Sequence, residues 1–570
     1  MASVKNLGES TNAKIKTPVI GVFATNDPRI DKKFWVRGKN IVKMAAEVIA
    51  KGVKLPGGVS PQVVYTPTLV KEEKSADIAA RQLLDAGADI LVCVPDSWCF
   101  PQPTLMSFLA HFPKEIPINV TCGNSATLPG VVFAQAVVGA LSQSGRMVHL
   151  NVGTWPDTGD DPKMTQTTAD ALVDWCQAAL AHSALKGRRM VVFGHDSMGM
   201  ETALAHIIAT RRTFGLEITR LDMKLLADML TKKSYKASEV KDLRGWLDKH
   251  LGNRLVVKNK TQSERFNQSL AMYIIIRDLM ADLNAVGGGF MSQLEWGSDP
   301  RGVPLPVADL MESLFNSTFD HRGTKAPIPY ATESDTQALL TMIYFTWLSG
   351  GNPPLFMDFR KVWEPWEVKA MADKLGVPYG DDDLWATKGF VDGDNSGSAS
   401  LDWAGRPGDK VANIMKNVAM PQVDMDYFMG GGNSVTFVSP GGIEGLVGRM
   451  AYSHLTDQFT MFWDEAVTTE MPNKLSEAVR KTSAYDWPHT WIVPKYASMV
   501  EYKHYAPANH VHMIWGLKPA RLQYWMDLAN VLSCTPWAAR PAFIEGVDRP
   551  QPIIHLINGG ETIAKRLLKP

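Results

Sequence analysis

The sequence predicts a mixed α/β protein: two Rossmann-like α/β domains with parallel sheets, then a β-rich, barrel-like C-terminal domain. Three observations carry this reading. Short apolar runs alternate with helix-period segments through the first third of the chain. The alternation restarts near residue 185. From about residue 360 the composition turns to Gly, Pro, Asp and Trp clusters separated by short apolar runs.

In order, PVIGVFA (18–24) reads as a buried strand, followed by a helix through Ala50. PQVVYTP (61–67) is a strand, Glu72–Ala86 a helix, and ILVCVP (90–95) and INVTC (118–122) further strands. Pro129–Leu141 reads as a helix and MVHLNVG (147–153) as a fifth strand. Apolar strands alternating with helices imply a parallel sheet covered on both faces. After a helix at Thr165–Ser183, MVVFGHD (190–196) and LEITRLDM (216–223) are strands. SMGMETALAHIIATRR (197–212) and Thr261–Leu283 are helices. In the last portion SVTFVSPGG (434–442), QFTMFW (458–463), TWIVPKY (490–496) and HVHMIWG (510–516) read as strands. The expected domains are 1–184, 185–355 and 356–570, in keeping with 570 residues at about 100–200 per domain.

Hydrophobic residues make up 45% and charged residues 21%, ordinary for a soluble globular protein. Lys plus Arg and Asp plus Glu are both 59, so net charge offers no reason to expect nucleic acid or a membrane as partner. The polar N-terminus lacks an apolar run of signal-peptide length, and no stretch approaches the roughly 20 apolar residues of a membrane span. Five irregularly spaced cysteines without a CxxC pair read as neither a disulfide framework nor a zinc site. A cytoplasmic enzyme is expected.

Two carboxylates stand at the ends of predicted strands: Glu333 in IPYATESD and Asp358 in LFMDFR. Strand carboxyl ends are where open α/β sheets place ligands. The structural alternatives are a helix N-cap for Glu333 and an Asp358–Arg360 salt bridge. Near the C-terminus, His510 and His512 alternate with apolar residues and so share a strand face. Imidazole with hard carboxylate oxygens suits manganese, magnesium or cobalt, although a lone histidine in an aromatic strand is more often a hydrogen-bonded core residue.

The ordered series TES-D, LFMDFR and ANH resembles the metal triad of the L-fucose/D-arabinose isomerase family. Further similarities keep the family order: PDSWCF (95–100), GHDSMGM (194–200), FMSQLEW (290–296), LFNSTFD (314–320), NSGSASLD (395–402), FMGGGNSVTF (428–437) and SAYDWPHTW (483–491). The resemblance implies a metal-dependent aldose–ketose isomerase working through an enediolate. Glu333, Asp358 and His510 would then be metal ligands, with Glu333 and Asp358 also acid and base. It nominates Gln293, Ser396 and Asn509 for sugar hydroxyls, and Trp98, Met198 and Trp487 for the apolar face. It implies a divalent metal, manganese first, with magnesium or cobalt as alternatives, and a homo-hexamer with a neighbouring chain closing each pocket. His512 is left as a partner that orients a ligand or water.

Two departures stand out. Asn433 follows Gly432 where the family commonly has tyrosine, and Phe23 and Ala24 stand where it commonly has arginine and proline. Asn433 is therefore assigned to substrate binding, with a hexose or pentose other than L-fucose, C6-modified hexoses included, as the expected substrate. The competing readings are a non-catalytic sugar-binding protein and a metal-dependent sugar aldolase or epimerase. The missing GxGxxG and GxxxxGK[ST] fingerprints argue against a nucleotide cofactor.

Overall fold

In the first 155 residues the apolar runs pair as a parallel sheet. Its strands are β1 (Val19–Phe23), β2 (Val63–Tyr65), β3 (Ala88–Cys93), β4 (Ile118–Gly123) and β5 (His149–Gly153), in the order β2-β1-β3-β4-β5. A computed structural model of the chain describes residues 16–533, except 31, 125–127, 156–158, 196–198, 292–304, 396, 398 and 427. Parallel neighbours need long crossovers. The helices Lys33–Gly52, Glu73–Asp85 and Gly130–Gln143 supply three of them. Every residue of β1 and β4 is buried, as a sheet covered on both faces requires.

A second parallel sheet joins β6 (Arg189–Phe193), β7 (Glu217–Leu221) and β8 (Ala285–Phe290). After a short hairpin, β9 (Phe319–Asp320) with β10 (Gly323–Thr324), it gains β11 (Tyr330–Thr332), for an order of β11-β8-β6-β7. The run AVGGGF of β8 is glycine-rich because its neighbours lie close. A Cβ on Gly287 would sit 2.9 Å from Ile343 Cδ1, and one on Gly288 2.6 Å from the Tyr330 ring.

The last portion closes a barrel. Strands β12 (Leu355–Trp363), β13 (Phe390–Asp394), β14 (Glu444–Ser453), β15 (Gln458–Thr468), β16 (His489–Pro494) and β17 (His510–Trp515) run β14-β17-β12-β13-β16-β15. Pairing of β14 with β15 completes the ring of six antiparallel strands, and β18 (Leu532–Ser533) adds to β15. Met357, Val391, Val447, Phe462, Ile492 and Val511, one from each strand, share one buried apolar cluster and fill the barrel. Alternation along a strand then turns Phe356, Asp358, Asp392, Asp394, His489, His510 and His512 outward, beneath covering segments.

The helix Thr336–Leu348 is the main cover. It is buried at every position except Trp347 and packs on β14 and β17. A helix apolar on all sides belongs between two layers, and this one shares its core with the second sheet and the barrel. The last helix among the described residues, Pro519–Ala529, returns to the first domain, lying on helix Gln166–Ala184. There Lys518 and Arg521 meet buried Asp174 at 3.2 and 2.6 Å.

Two expected elements differ. Residues 434–442 form no strand, because their backbone bonds split between two partners. Thr436 exchanges both bonds with Ala419, whereas Ser439 donates to His489 and His489 to Phe437. The helix expected over 197–212 is confined to Ile207–Phe214. The His206 side chain caps it by accepting from the Ala209 N–H at 3.1 Å, and a single 3-10 turn, Glu201–Ala203, precedes it. Among the described residues no helix is long and apolar enough to cross a membrane, and Cys93, Cys99, Cys122 and Cys176 are buried free thiols.

Candidate functional site

The turn between β11 and helix Thr336–Leu348 places Glu333. Both Glu333 (φ 56°) and Ser334 (φ 54°) adopt left-handed backbone, which costs roughly 1–3 kcal/mol per non-glycine residue and needs outside support. That support is local. The Ser334 N–H donates to Phe290 O at 3.0 Å, its hydroxyl to Phe193 O at 3.2 Å, and the Asp335 N–H to Thr332 O at 3.1 Å. The helix is capped by Asp335, whose Oδ1 accepts from the Ala338 N–H at 2.7 Å. Glu333 is therefore relieved of the capping role and points its carboxylate into the protein, 6% exposed.

His510 opens β17 directly opposite Asp358 of β12. Its Nε2 lies 3.3 Å from Glu333 Oε2 and 3.3 Å from Asp358 Oδ1. Its Nδ1 lies 2.7 Å from Asp335 Oδ2. Arg449, fully buried on β14, donates to both oxygens of Asp335 at 2.8 and 3.0 Å. Burial would raise the Asp335 carboxyl, but Arg449 and His510 outweigh it and hold it well below the usual carboxylate range. Burial also pulls the His510 ring down, but its bonds to Asp335 and Glu333 overcome this and raise it to about 10. With Nδ1–H committed to Asp335, Nε2 faces the two carboxylates. A carboxylate that fixes tautomer and ring direction is the usual support of a metal-binding histidine. Two carboxylates and an imidazole nitrogen are the donor types that a hard or borderline divalent cation takes.

Asp358 is held at both oxygens: Asn509 Nδ2 donates to Oδ1 and Asn395 Nδ2 to Oδ2, each at 3.1 Å. Its side chain is 22% exposed and Asn509 is exposed, so the centre opens to solvent here. Met200 lies beside the same Asn509 amide. The Asp358–Arg360 alternative gives way to a different contact, since the Arg360 guanidinium lies over the Trp487 ring at 5.6 Å.

The other sequence-derived residues are distributed. Trp98 packs edge-on to Phe100 and Phe133 in the first domain. Asn433 is buried and committed to the protein. Its amide donates to Val256 O and Met420 O, both at 2.9 Å, and its oxygen accepts from Gln422. Phe23 stacks on Phe108 in the core of the first domain. His512 packs on Phe356 with neither ring nitrogen hydrogen-bonded, and it is Asp335 that meets the His510 ring. Met198, Gln293 and Ser396 lie outside the described residues.

Sequence reasoning missed Asp335, Arg449 and Asn395, although Asp335 stands in the same TESD string as Glu333. It also missed a second cluster, Asp392, Asp394 and His489, whose ligand-type atoms lie within 4.8 Å of one another. The signal for this one was an acidic pair two apart on a strand. Burial and neighbouring Asp392 push the Asp394 carboxyl up to about 7. All three residues are at most 1% exposed, which separates them from the solvent-reached Asp358 centre.

Two parallel α/β domains joined to a closed antiparallel barrel, with an acid–acid–imidazole centre at their junction, define the class of protein. Comparison with known families places it further. Residues 17–187 match the first N-terminal domain of L-fucose isomerase and residues 188–350 its second. Curated L-fucose isomerases of Streptococcus pneumoniae strains 70585 and Taiwan19F-14 are 24% identical, with 94% of each chain covered. The L-fucose isomerase of Escherichia coli strain SMS-3-5 is 24% identical, with 85% of each covered. The chain belongs to the fucose isomerase family.

Proposed function

We propose that this chain is an aldose–ketose isomerase whose reaction centre is Glu333, Asp358 and His510, with a divalent cation, manganese first, held by these three. The observation that carries the reading is the convergence of both carboxylates on His510 Nε2 at 3.3 Å, beside a solvent-reached Asp358. The reaction takes a proton from the carbon next to a carbonyl and returns it one carbon over. A cation bound there supplies Lewis-acid stabilisation of the negative charge that develops on the two sugar oxygens. Glu333 and Asp358 reach the His510 edge from different elements, one following the second sheet and one in the barrel, and serve as base and acid. Asn509 and Asn395 orient Asp358, while the left-handed turn orients Glu333.

The chain is read as three units, 1–184, 185–355 and 356–570, working as a cytoplasmic homo-oligomer, a hexamer on the family pattern. The sugar is a hexose or pentose other than L-fucose, C6-modified hexoses included. Support comes from two replacements, Phe23 for the family's arginine and Asn433 for its tyrosine, neither of which offers the group it replaces. A panel of aldoses and ketoses with added manganese, followed by NMR for solvent exchange of the C1 or C2 hydrogen, tests substrate and chemistry together. Glu333→Gln and Asp358→Asn should each lose at least about 10²-fold in kcat while remaining folded. Full turnover by a verified metal-free preparation would overturn the cation's role, and near-wild-type rates in either variant would overturn that residue's assignment.

A further inference from the structure

The row of residues across the barrel that carries His510 and Asp358 does not stop there. Asp358 pairs with Asp394 on β13, and Asp394 with His489 on β16. Asp392, two residues before Asp394, shares its face. The two groups meet across one strand spacing, about 5 Å, where Asp358 faces Asp394.

Its hydrogen bonding is incomplete in a specific way. His489 Nε2 lies 3.0 Å from the Ala484 carbonyl, which can only accept, so that nitrogen bears the proton. In the neutral ring, Nδ1 then presents a lone pair to Asp392 Oδ1 at 3.0 Å and to Asp394 Oδ2 at 3.9 Å. Trp491 Nε1 donates to Asp392 Oδ1 at 3.0 Å. Asp392 Oδ2 and both oxygens of Asp394 are buried without a hydrogen-bond partner. A fully buried carboxylate with no donor on either oxygen is a costly arrangement unless something positive meets it. One imidazolium would leave a second carboxylate uncompensated. Arg360, a further cation acting on Asp394, is exposed and lies over Trp487.

We propose that Asp392, Asp394 and His489 bind a second divalent cation of the manganese, cobalt or zinc class, separate from the one at Glu333, Asp358 and His510. Two carboxylate oxygens and one imidazole nitrogen are the donor set such ions take. An ion about 2.1 Å from each donor needs donors about 3.0 to 4.2 Å apart, and His489 Nδ1 lies 3.0 Å from Asp392 Oδ1 and 3.9 Å from Asp394 Oδ2. The burial of all three residues excludes a sugar, so the ion is structural. It clamps the end of β13 to β16, and the next residue along, Asn395, holds Asp358. The second ion therefore supports the reaction centre through the strand it pins.

The test is cation stoichiometry on the full-length protein, stripped of metal, reloaded with manganese and freed of excess by gel filtration. Wild type should hold two ions per chain, and Asp394→Asn and His489→Gln one each. Glu333→Gln should keep the ion at Asp394. Anomalous scattering at the manganese edge from manganese-soaked wild-type crystals should place a peak among Asp392, Asp394 and His489, whether or not the variants fold. One ion per chain in wild type, unchanged in Asp394→Asn and with no peak at this cluster, would overturn the proposal and leave a buried His489–Asp392 ion pair beside a protonated Asp394. One ion that Asp394→Asn loses and Glu333→Gln retains would support this site and overturn the cation at Glu333 instead.

Discussion

Asp335 shows how much of the proposed centre rests on a residue outside the Glu333, Asp358 and His510 set. It caps a helix, meets both arms of Arg449 and fixes His510 through Nδ1. Asp335→Asn keeps the shape but removes the charge and one acceptor. Outer-shell partners of metal-binding histidines typically contribute 10- to 100-fold in metal affinity. Manganese affinity, measured by calorimetry, should therefore fall by about that factor while the circular dichroism spectrum is kept. An unchanged affinity would mean that packing against Phe356 alone sets the ring. Asp309 is a second telling residue, buried at the start of helix Asp309–Asn316 with Ser434 Oγ donating to it at 2.9 Å. Burial raises its carboxyl from 3.8 to about 7. The folded state thus keeps a proton that the unfolded chain gives up near pH 4, and stability falls as pH rises from about 4 to 7. At about 1.4 kcal/mol per pKa unit the loss is at most a few kcal/mol. Asp309→Asn cannot ionise, so denaturant midpoints should show it gaining on wild type at pH 8 relative to pH 5. An equal difference at both pH values would count against a protonated Asp309.

At the scale of elements, the barrel strands set the row of residues that forms the centre, and β14 holds β17 in place. Gly445 of β14 is paired with Trp515, and a Cβ there would lie only 2.3 Å from Ile514 O. Gly445→Ala must push β17 away from β14, and overpacking of this kind typically costs about 1–3 kcal/mol. Urea unfolding should show that loss, together with weaker manganese binding because His510 opens the displaced strand. Loss of stability with intact metal affinity would mean that the strand yields only at its far end. The failed strand at 434–442 is instructive at the same scale. Its apolar alternation is genuine, with Val435 and Phe437 buried, but its partners change after a residue or two, and a ladder needs one continuous partner.

Across the whole molecule, the chain closes on itself. Helix Pro519–Ala529 follows the barrel in sequence but lies on helix Gln166–Ala184 of the first domain. The junction includes Asp174, buried, with Arg521 at 2.6 Å and Lys518 at 3.2 Å. Removing one partner of a buried pair typically costs about 3–5 kcal/mol, chiefly from the charge left behind. Here that is an upper bound, because Lys518 is half exposed. Asp174→Ala should therefore destabilise the protein by less than this and expose helix Pro519–Ala529 to early proteolysis. Unfolding with no change in midpoint would mean that apolar contact alone holds the two helices together.

The sequence by itself determined the class of fold and three of the residues that meet at the centre, Glu333, Asp358 and His510. Burial on both faces leaves a short unbroken apolar run that one strand displays alone, as in PVIGVFA and INVTC, and the motifs around Glu333, Asp358 and His510 are each local strings. Only the tertiary structure decided what those residues touch. Arg449 reaches Asp335 across 114 positions and His510 reaches it across 175, and no local pattern encodes such pairings. Tertiary packing also turned Asn433 toward Val256 and Met420, and closed Asp392, Asp394 and His489 around one point. Spacing along the chain specifies the face on which a side chain stands. The neighbour across that face is chosen by strand register and by the helix laid over it, and these depend on the whole core at once.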